Sequence, residues 1–460
     1  MLTYYKVTVQ SIDDNDFSHS NEIRLSKQLF RLWKVDLHQS LSICFGQHEA
    51  TIECMPLEQN ELLLQCSKTL ANKLILPDDI FRIGVAFDHE YPCLHLGPVV
   101  AILTKVHESE HEPSFGPLSS FCKEMATYAN ENHVFLYVFS LDQWQEEHIY
   151  GCILQNEQWC IQPVPKPSVI YNRIGSRKLE QSDHYQTFFS ECTQQHIHIF
   201  NDHFLNKWEV HNILTTYDEL KPYLPETTLL TNQESLEQMI ETYQTVYLKP
   251  IHGKEGKGIF RIQETNNYQF EVDFLTASGP LQRTFSTIDQ LYRNLKYRIK
   301  KQQFLIQQGL TLTRYKNRSL DFRVLCARDL YGKWRVISLI ARASREEMFV
   351  ANLAQGGEVL RLEDSLHDAF AEETIKQFRS FITELAVNIC EILSTEASGL
   401  YGEFGIDIGI DENGHPWMIE VNTKPSKNQA PLPAADDIRP SAKSIIHYAY
   451  HLATHNDIRG

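Results

Sequence analysis

Two acids and an amide near the C-terminus have the spacing of a hard-cation site. They lie in EFGIDIGIDENGHPWMIEVN, residues 403–422, where Asn413-Gly414 is a strong two-residue hairpin signal. With those residues at the tip, Ile406 faces Val421, Ile408 faces Ile419 and Ile410 faces Trp417 on one apolar side. The other side sets Asp407 across from Glu420 and Asn422 across from Gly405. Facing carboxylates repel unless a cation lies between them, and an Asp, Glu and Asn oxygen set suits Mg2+. Gly405 and Gly409 would leave space above the strand. The plain alternative is a solvated polar face.

A second set of residues suits a phosphate. VYLKPIHGKEGKGIFRIQ places Lys249 at the end of an apolar strand, followed by a loop with Gly253, Gly256 and Gly258 and then another strand. Glycines let backbone N–H groups approach a phosphate closely, and the lysine adds a point charge. This is not a Walker A loop, because Gly258 is followed by Ile259 rather than by Lys and Ser or Thr. A flexible turn carrying solvated Lys254 and Lys257 is the alternative. Between the two sets, Asp321 and Arg323 alternate with Phe322 and Val324 and so share one strand face, while Arg342 ends the next strand. Arginines aimed into one cleft would clamp transferring phosphoryl oxygens; taken singly, each also reads as a surface arginine.

These groups need a large framework. At about 150 residues per domain, a chain of 460 allows about three domains. The sequence divides into a small β-rich segment, 1–97, a strand–helix–strand segment, 98–200, and a mixed α+β segment, 201–460. No internal repeat is evident. A net charge of −16 disfavours nucleic acid and anionic membrane surfaces as partners. The N-terminus lacks the basic-then-apolar pattern of an export signal, and runs such as VFLYVF are too short to span a bilayer, so a cytoplasmic location is expected. Ten cysteines without a CxxC pair read as small apolar residues rather than zinc ligands. His196 and His198 lack a third ligand nearby. No Ser-His-Asp or Cys-His arrangement stands out.

Together the segments resemble the ATP-grasp superfamily: Lys-Pro ahead of a glycine loop, an apolar strand ending in a hinge, D-x-R, N-x-x-x-G-G, and Asp followed by E-x-N. They are more similar still to the endospore-coat-associated YheC/YheD-type ATP-grasp proteins, in FLNKWEVHNIL, YLKPIHGKEGKGIFRI, DFRVL, EFGIDIGID and MIEVNTKPSK. Upstream, VIYNRI and LGPVVAIL extend the resemblance over most of the chain. It implies a multidomain α/β and α+β protein. A C-terminal ATP-grasp fold of two α+β lobes would follow a βαβ pre-ATP-grasp layer and the small β-rich domain.

Carried over, the resemblance implies that Lys207 and Lys249 hold the phosphates of ATP, with Gly253, Gly256 and Gly258 closing over them. Backbone groups from Gln307 and Gln308 to Leu310 would read adenine, with Asp321 near the ribose. Asp407, Glu420 and Asn422 would bind Mg2+, or Mn2+ in its place, and Arg323, Arg342 and Asn352 would be the catalytic set. Many relatives have Glu where Gln308 stands, and some ligases have Arg where Val350 stands; the second departure bears on ligase chemistry. The activity implied is an ATP-dependent carboxylate–amine or carboxylate–thiol ligase working through an acyl phosphate on small molecules or peptides. It would be linked to the endospore coat or sporulation, with spore-coat proteins as partners. The alternative is a coat-associated nucleotide-binding structural protein without turnover.

Overall fold

The computed structural model describes residues 2–36, 40–77, 80–109, 111–145, 149–253, 258–276, 279–300, 302–344, 357–427 and 438–454. Seven strands form a closed barrel: β1 (Tyr5–Ile12), β2 (Glu22–Ser26), β3 (Leu41–Phe45), β4 (His48–Leu57), β5 (Leu63–Ser67), β6 (Phe81–Asp88) and β7 (Cys93–Leu96). Their order is β1-β5-β2-β4-β3-β7-β6. Alternation sends Val7 and Val9, Leu41, Ile43 and Phe45, and Leu94 and Leu96 into the core. Two helices, α1 (Lys27–Trp33) and α2 (Lys68–Leu74), follow β2 and β5. Each begins within a Ser-Lys-x-Leu sequence, directly after Ser26 or Ser67, and ends on a left-handed residue, Lys34 or Ile75. This is a short strand–helix repeat that the sequence reading does not find, because little beyond Ser, Lys and Leu is shared between its copies.

A six-stranded layer comes next: β8 (Val99–Leu103), α3 (Ser119–Glu131), β9 (Phe135–Phe139), β10 (Ile149–Gln155), β11 (Gln158–Val164), β12 (Val169–Asn172), α4 (Arg177–Glu180), α5 (Asp183–Gln194) and β13 (His198–Phe200). The strand order is β11-β10-β9-β8-β12-β13, with β9, β8, β12 and β13 parallel. Strand β8 is buried on both sides, as a covered parallel strand must be. Val99, Ala101 and Leu103 join the core shared with the barrel, while Val100 and Ile102 face the opposite core.

Two antiparallel sheets follow. Helix α6 (Lys207–Leu214) packs into the core of the second lobe through Val210 and Leu214, and the first lobe is built from β14 (Thr227–Leu229), α7 (Gln233–Tyr243), β15 (Thr245–Pro250), β16 (Phe260–Glu264), β17 (Phe270–Thr276), β18 (Gly279–Phe285), α8 (Ile288–Ile299) and β19 (Phe304–Gln308). Sheet order is β14-β19-β15-β16-β17-β18, so β15 and the hinge strand β19 lie side by side. The second lobe holds β20 (Arg314–Tyr315), β21 (Arg318–Arg328), β22 (Trp334–Ala343), β23 (Glu358–Leu360), α9 (Leu362–Leu366), α10 (Glu372–Glu396), β24 (Glu403–Ile410) and β25 (Pro416–Asn422), ordered β23-β22-β21-β24-β25. Apolar residues at helical spacing on α10, among them Ile382, Leu385, Ile389 and Leu393, pack in one core with β21, β22 and β24.

The last helix, α11 (Pro440–Thr454), does not stay with the second lobe. Its Ala442, Ile445, Ile446, Tyr448 and Ala449 fill the core formed by α3 and the far face of the six-stranded layer. Residues from the end of the chain thus complete a sheet built from residues 99–200.

The C-terminal hairpin departs from its expected register in two places. Asp411 N–H donates to the His415 carbonyl at 2.9 Å, which leaves Glu412, Asn413 and Gly414 as a three-residue loop rather than a two-residue tip. Gly414 takes the positive φ, +83°, that such a loop requires. Consequently Ile408 faces Met418, Gly409 faces Trp417 and Ile410 faces Pro416. A bulge between Asp407 and Ile408 then restores the expected pairs, Asp407 with Glu420, Ile406 with Val421 and Gly405 with Asn422. The extra residue in the bulge is Ile419.

Candidate nucleotide-binding site

A cavity of about 1230 Å3 lies between the two lobes and reaches the loops of the six-stranded layer. From the first lobe it is lined by Lys249, Gly253, Gln307, Gln308 and Leu310, and from the second by Asp321, Arg323, Arg342, Asp407, Glu420 and Asn422. Lys207 also lines it, so of the fifteen sequence-predicted site residues thirteen can be placed, and twelve of these, all but Gly258, converge here. Gly258 has φ +74° but lies outside the lining. Gly256 and Asn352, with Lys254, Lys257 and Val350, fall outside the described residues.

Lys249 sits on β15 opposite Leu305 and is buried. Its Nζ donates to Gln307 Oε1, and Gln307 Nε2 donates in turn to Thr227 Oγ1 at 3.1 Å. Burial pulls the Lys249 ammonium down to about 8, because a neutral amide does little to offset lost hydration. Lys207 is the first residue of α6, whose start is fixed by reciprocal Asn206 and Glu209 hydrogen bonds. Its Nζ reaches Glu420 Oε1 at 2.6 Å and the Gly253 carbonyl at 3.4 Å, linking the glycine loop of one lobe to the acid of the other.

The charges of the second lobe run across neighbouring strands on one face. Asp321 is registered with Arg342, Arg323 with Asp407, and Asp407 with Glu420. Arg342 donates to both Asp321 oxygens, at 2.6 and 2.7 Å, and lies 3.1 Å from Asp407 Oδ2. Arg323 also grips Asp407 with two donors, one at 3.0 Å from Oδ2. Burial pushes the Asp407 carboxyl up, but the two arginines outweigh it and hold it below the ordinary carboxylate range. Burial moves Asp321 the other way, upward, despite Arg342. The expected bare repulsion between Asp407 and Glu420 is therefore absent: arginines balance one acid and Lys207 the other. The space expected above Gly405 and Gly409 is also filled, by Pro425 and Arg323 over the first and by Leu312 and Ile419 over the second.

The hinge has its own pattern of used and free groups. Gln308 N–H donates to the Glu226 carbonyl at 2.8 Å, and its side-chain oxygen accepts from Glu226 N–H at 3.1 Å. Gly309 N–H donates to Thr245 O at 2.8 Å. The Leu310 N–H and the Asn422 side chain, both at the cavity wall, have no hydrogen-bond partner among the described residues. They are open to a ligand.

Sequence reasoning assigned no role to several residues of the lining. Ile419 and Leu312 form an apolar wall that only the unforeseen bulge brings into place. Toward the six-stranded layer lie Arg173, Lys424 and Lys427, all buried. Arg173 contacts Glu403 at 3.0 Å, Lys427 shares that acid, and Lys424 pairs with Glu180. Burial draws both lysines down to about 8. The signal for them was present as charged residues directly following apolar strands, in VIYNR and IEVNTKPSK.

Two α+β lobes closing on a cleft with this cation and carboxylate set define an ATP-grasp fold. A family model described as YheC/D like ATP-grasp matches residues 196–452, and the chain belongs to that family. It is 30% identical over 381 residues to the endospore coat-associated protein YheD of Bacillus subtilis (strain 168), covering 81% of each chain. It is 23% identical over 230 residues to the endospore coat-associated protein YheC of the same organism, covering 48% of this chain and 60% of that one. Among solved structures, the VanG D-Ala:D-Ser ligase of Enterococcus faecalis aligns with 77% of this chain and 99% of its own, at 12% identity and a TM-score of 0.46.

Proposed function

We propose that the protein is an ATP-dependent ligase that joins a carboxylate to an amine or thiol through an acyl phosphate. The observation that carries this reading is the cleft itself. It sets Lys207 and Lys249 in one cavity with the oxygens of Asp407, Glu420 and Asn422, and among the described residues the Asn422 side chain and the Leu310 N–H are unpartnered. That donor set fits a nucleotide with a hard divalent cation. Lys207 and Lys249 hold phosphate oxygens, the Leu310 N–H reads the base edge, and Ile419 and Leu312 pack on its face. Mg2+, or Mn2+ in its place, held by Asp407, Glu420 and Asn422, would supply charge neutralisation for the phosphates.

Within this reading Arg323 stabilises the transferring group and Arg342 orients Asp407, with Asn352 in the same catalytic set. Arg173 and Lys427 share the single acid Glu403, which leaves excess positive charge on the side where a carboxylate substrate would enter. The second reading, a nucleotide-binding coat component without turnover, draws on the names of the two Bacillus relatives. Synthesis in the cytoplasm with later association with the coat and its proteins is compatible with both. No helix of the described residues is long and apolar enough to cross a membrane.

Phosphate release distinguishes the two. The purified protein with Mg2+ and ATP is supplied with pools of amino acids and short peptides. Release that depends on an acceptor supports the ligase, and nucleotide binding without release under every pool supports the structural reading.

A further inference from the structure

The N-terminal barrel carries a second cluster of chemically competent side chains, independent of the cleft. Strands β3 and β7 pair in parallel, with Ser42 beside Cys93 and Cys44 beside His95. Since Leu41, Ile43 and Phe45 and Leu94 and Leu96 fill the barrel, the alternating residues Cys44, Cys93 and His95 gather on its outer face. Cys44 Sγ lies 3.0 Å from His95 Nδ1 and 3.6 Å from Cys93 Sγ, and all three ligand atoms fall within 4.8 Å of one another.

We infer that Cys44, Cys93 and His95 form a binding site for a thiophilic divalent cation of the zinc class. A tetrahedral site with metal–sulfur bonds of about 2.3 Å has sulfur–sulfur edges of about 3.8 Å, close to the separation already present. Two thiolates and an imidazole are a soft-to-borderline donor set that selects zinc-like ions over Mg2+. Cys93 is buried while Cys44 and His95 are half-buried, and among the described residues these three supply three corners of the site. Metal binding displaces the thiol protons to solvent, and no oxidation is involved. The ion would fasten β3 to β7 close to Tyr4, whose ring packs edge-on against Tyr450 of α11 at 5.8 Å.

This departs from the sequence reading of the cysteines as small apolar residues, which rested on the missing CxxC pair. Here a parallel strand pair, not a short loop, brings together thiols forty-nine positions apart.

The test is a Co2+ titration of the full-length protein, reduced with a phosphine and stripped with EDTA. A thiolate-to-cobalt charge-transfer band that saturates at one equivalent and is bleached by Zn2+ is expected. Oxygen ligands in the cleft give no such band, so Co2+ entering there is not confused with this site. Cys93→Ser and Cys44→Ser should each abolish the band, and Cys160→Ser, on the exposed edge of β11, should leave it unchanged. If Cys93→Ser does not fold by circular dichroism, Cys44→Ser, at a half-buried position, decides alone. Absence of the band in the reduced wild type, or its persistence in a folded cysteine variant, overturns the site. So does loss of both thiols to a disulfide whose reduced form takes up no cobalt.

Discussion

Lys249 shows what a single buried charge can report about the cleft. It is held behind a neutral amide, and burial has drawn it down to about 8, so at neutral pH it is still mostly charged but poorly compensated. A bound phosphate would supply the missing counter-charge. Lys249→Ala should therefore lower ATP affinity by about 1.5 to 3 kcal/mol, ten- to a hundredfold, with the fold intact, as read by calorimetric titration. The sign with pH follows. Phosphate favours the protonated lysine, so wild-type affinity should fall as pH rises above about 8, and binding there should take up protons. The variant should lose that part of the pH dependence. Lys249 was legible in the sequence because an apolar strand running into glycines is a local pattern. Its pairing with Gln307, fifty-eight residues on, was not, and neither were the pairs Arg173–Glu403 and Lys424–Glu180, because which polar groups meet across such distances in the chain is decided by topology.

At the scale of the element, the C-terminal hairpin shows how a sequence argument reaches the right pair by an incomplete route. A three-residue loop shifts the register by one, and the Ile419 bulge shifts it back before Asp407 is reached. Asn413-Gly414 marked the turn correctly, but a dipeptide cannot specify loop length, and the alternation of residue types along a strand does not mark a bulge. The consequence for function is an additional apolar side chain in the cleft. The consequence for energetics concerns Glu420, which Lys207 already balances. Glu420→Gln should cost the metal-free protein about 1 kcal/mol or less, since this pair is partly solvated. It should remove most of the Mg2+-dependent rise in melting temperature seen with ATP, because an amide oxygen is a poorer ligand for a hard cation than a carboxylate. Melting curves with ATP, Mg2+ and EDTA check both statements. An equal Mg2+-dependent shift in wild type and variant removes Glu420 from the metal set.

For the whole molecule, the decisive feature is that helix α11 packs into a core built from residues of the six-stranded layer. Helix α11 fills the core of the six-stranded layer with Ile445, Ile446 and Tyr448, and Tyr128 on α3 meets His447 at 2.7 Å. The same helix touches the second lobe, where His451 Nδ1 donates to the Leu330 carbonyl at 3.1 Å and Arg328 lies over the Tyr448 ring at 5.7 Å. A second tie is polar: Tyr171 on β12 donates to Glu403 on β24, and the Asn201 amide donates to the Glu403 carbonyl at 2.9 Å. The apolar periodicity of α11 was readable, but its destination was not, since amphipathicity identifies a face to be buried without naming what buries it. Ile446→Ala should leave a cavity where α11 meets α3 and cost about 2 to 4 kcal/mol. If α11 couples the layer to the second lobe, that loss should appear as early proteolytic cuts within residues 98–200 as well as in the second lobe. Mg2+ and ATP, bound more than a sheet away, should slow both sets of cuts together. Limited proteolysis with mapped fragments reads this directly. Cuts confined to the second lobe, with the six-stranded layer still resistant, would mean that the layer is stable without its C-terminal helix and that the two units respond to nucleotide separately.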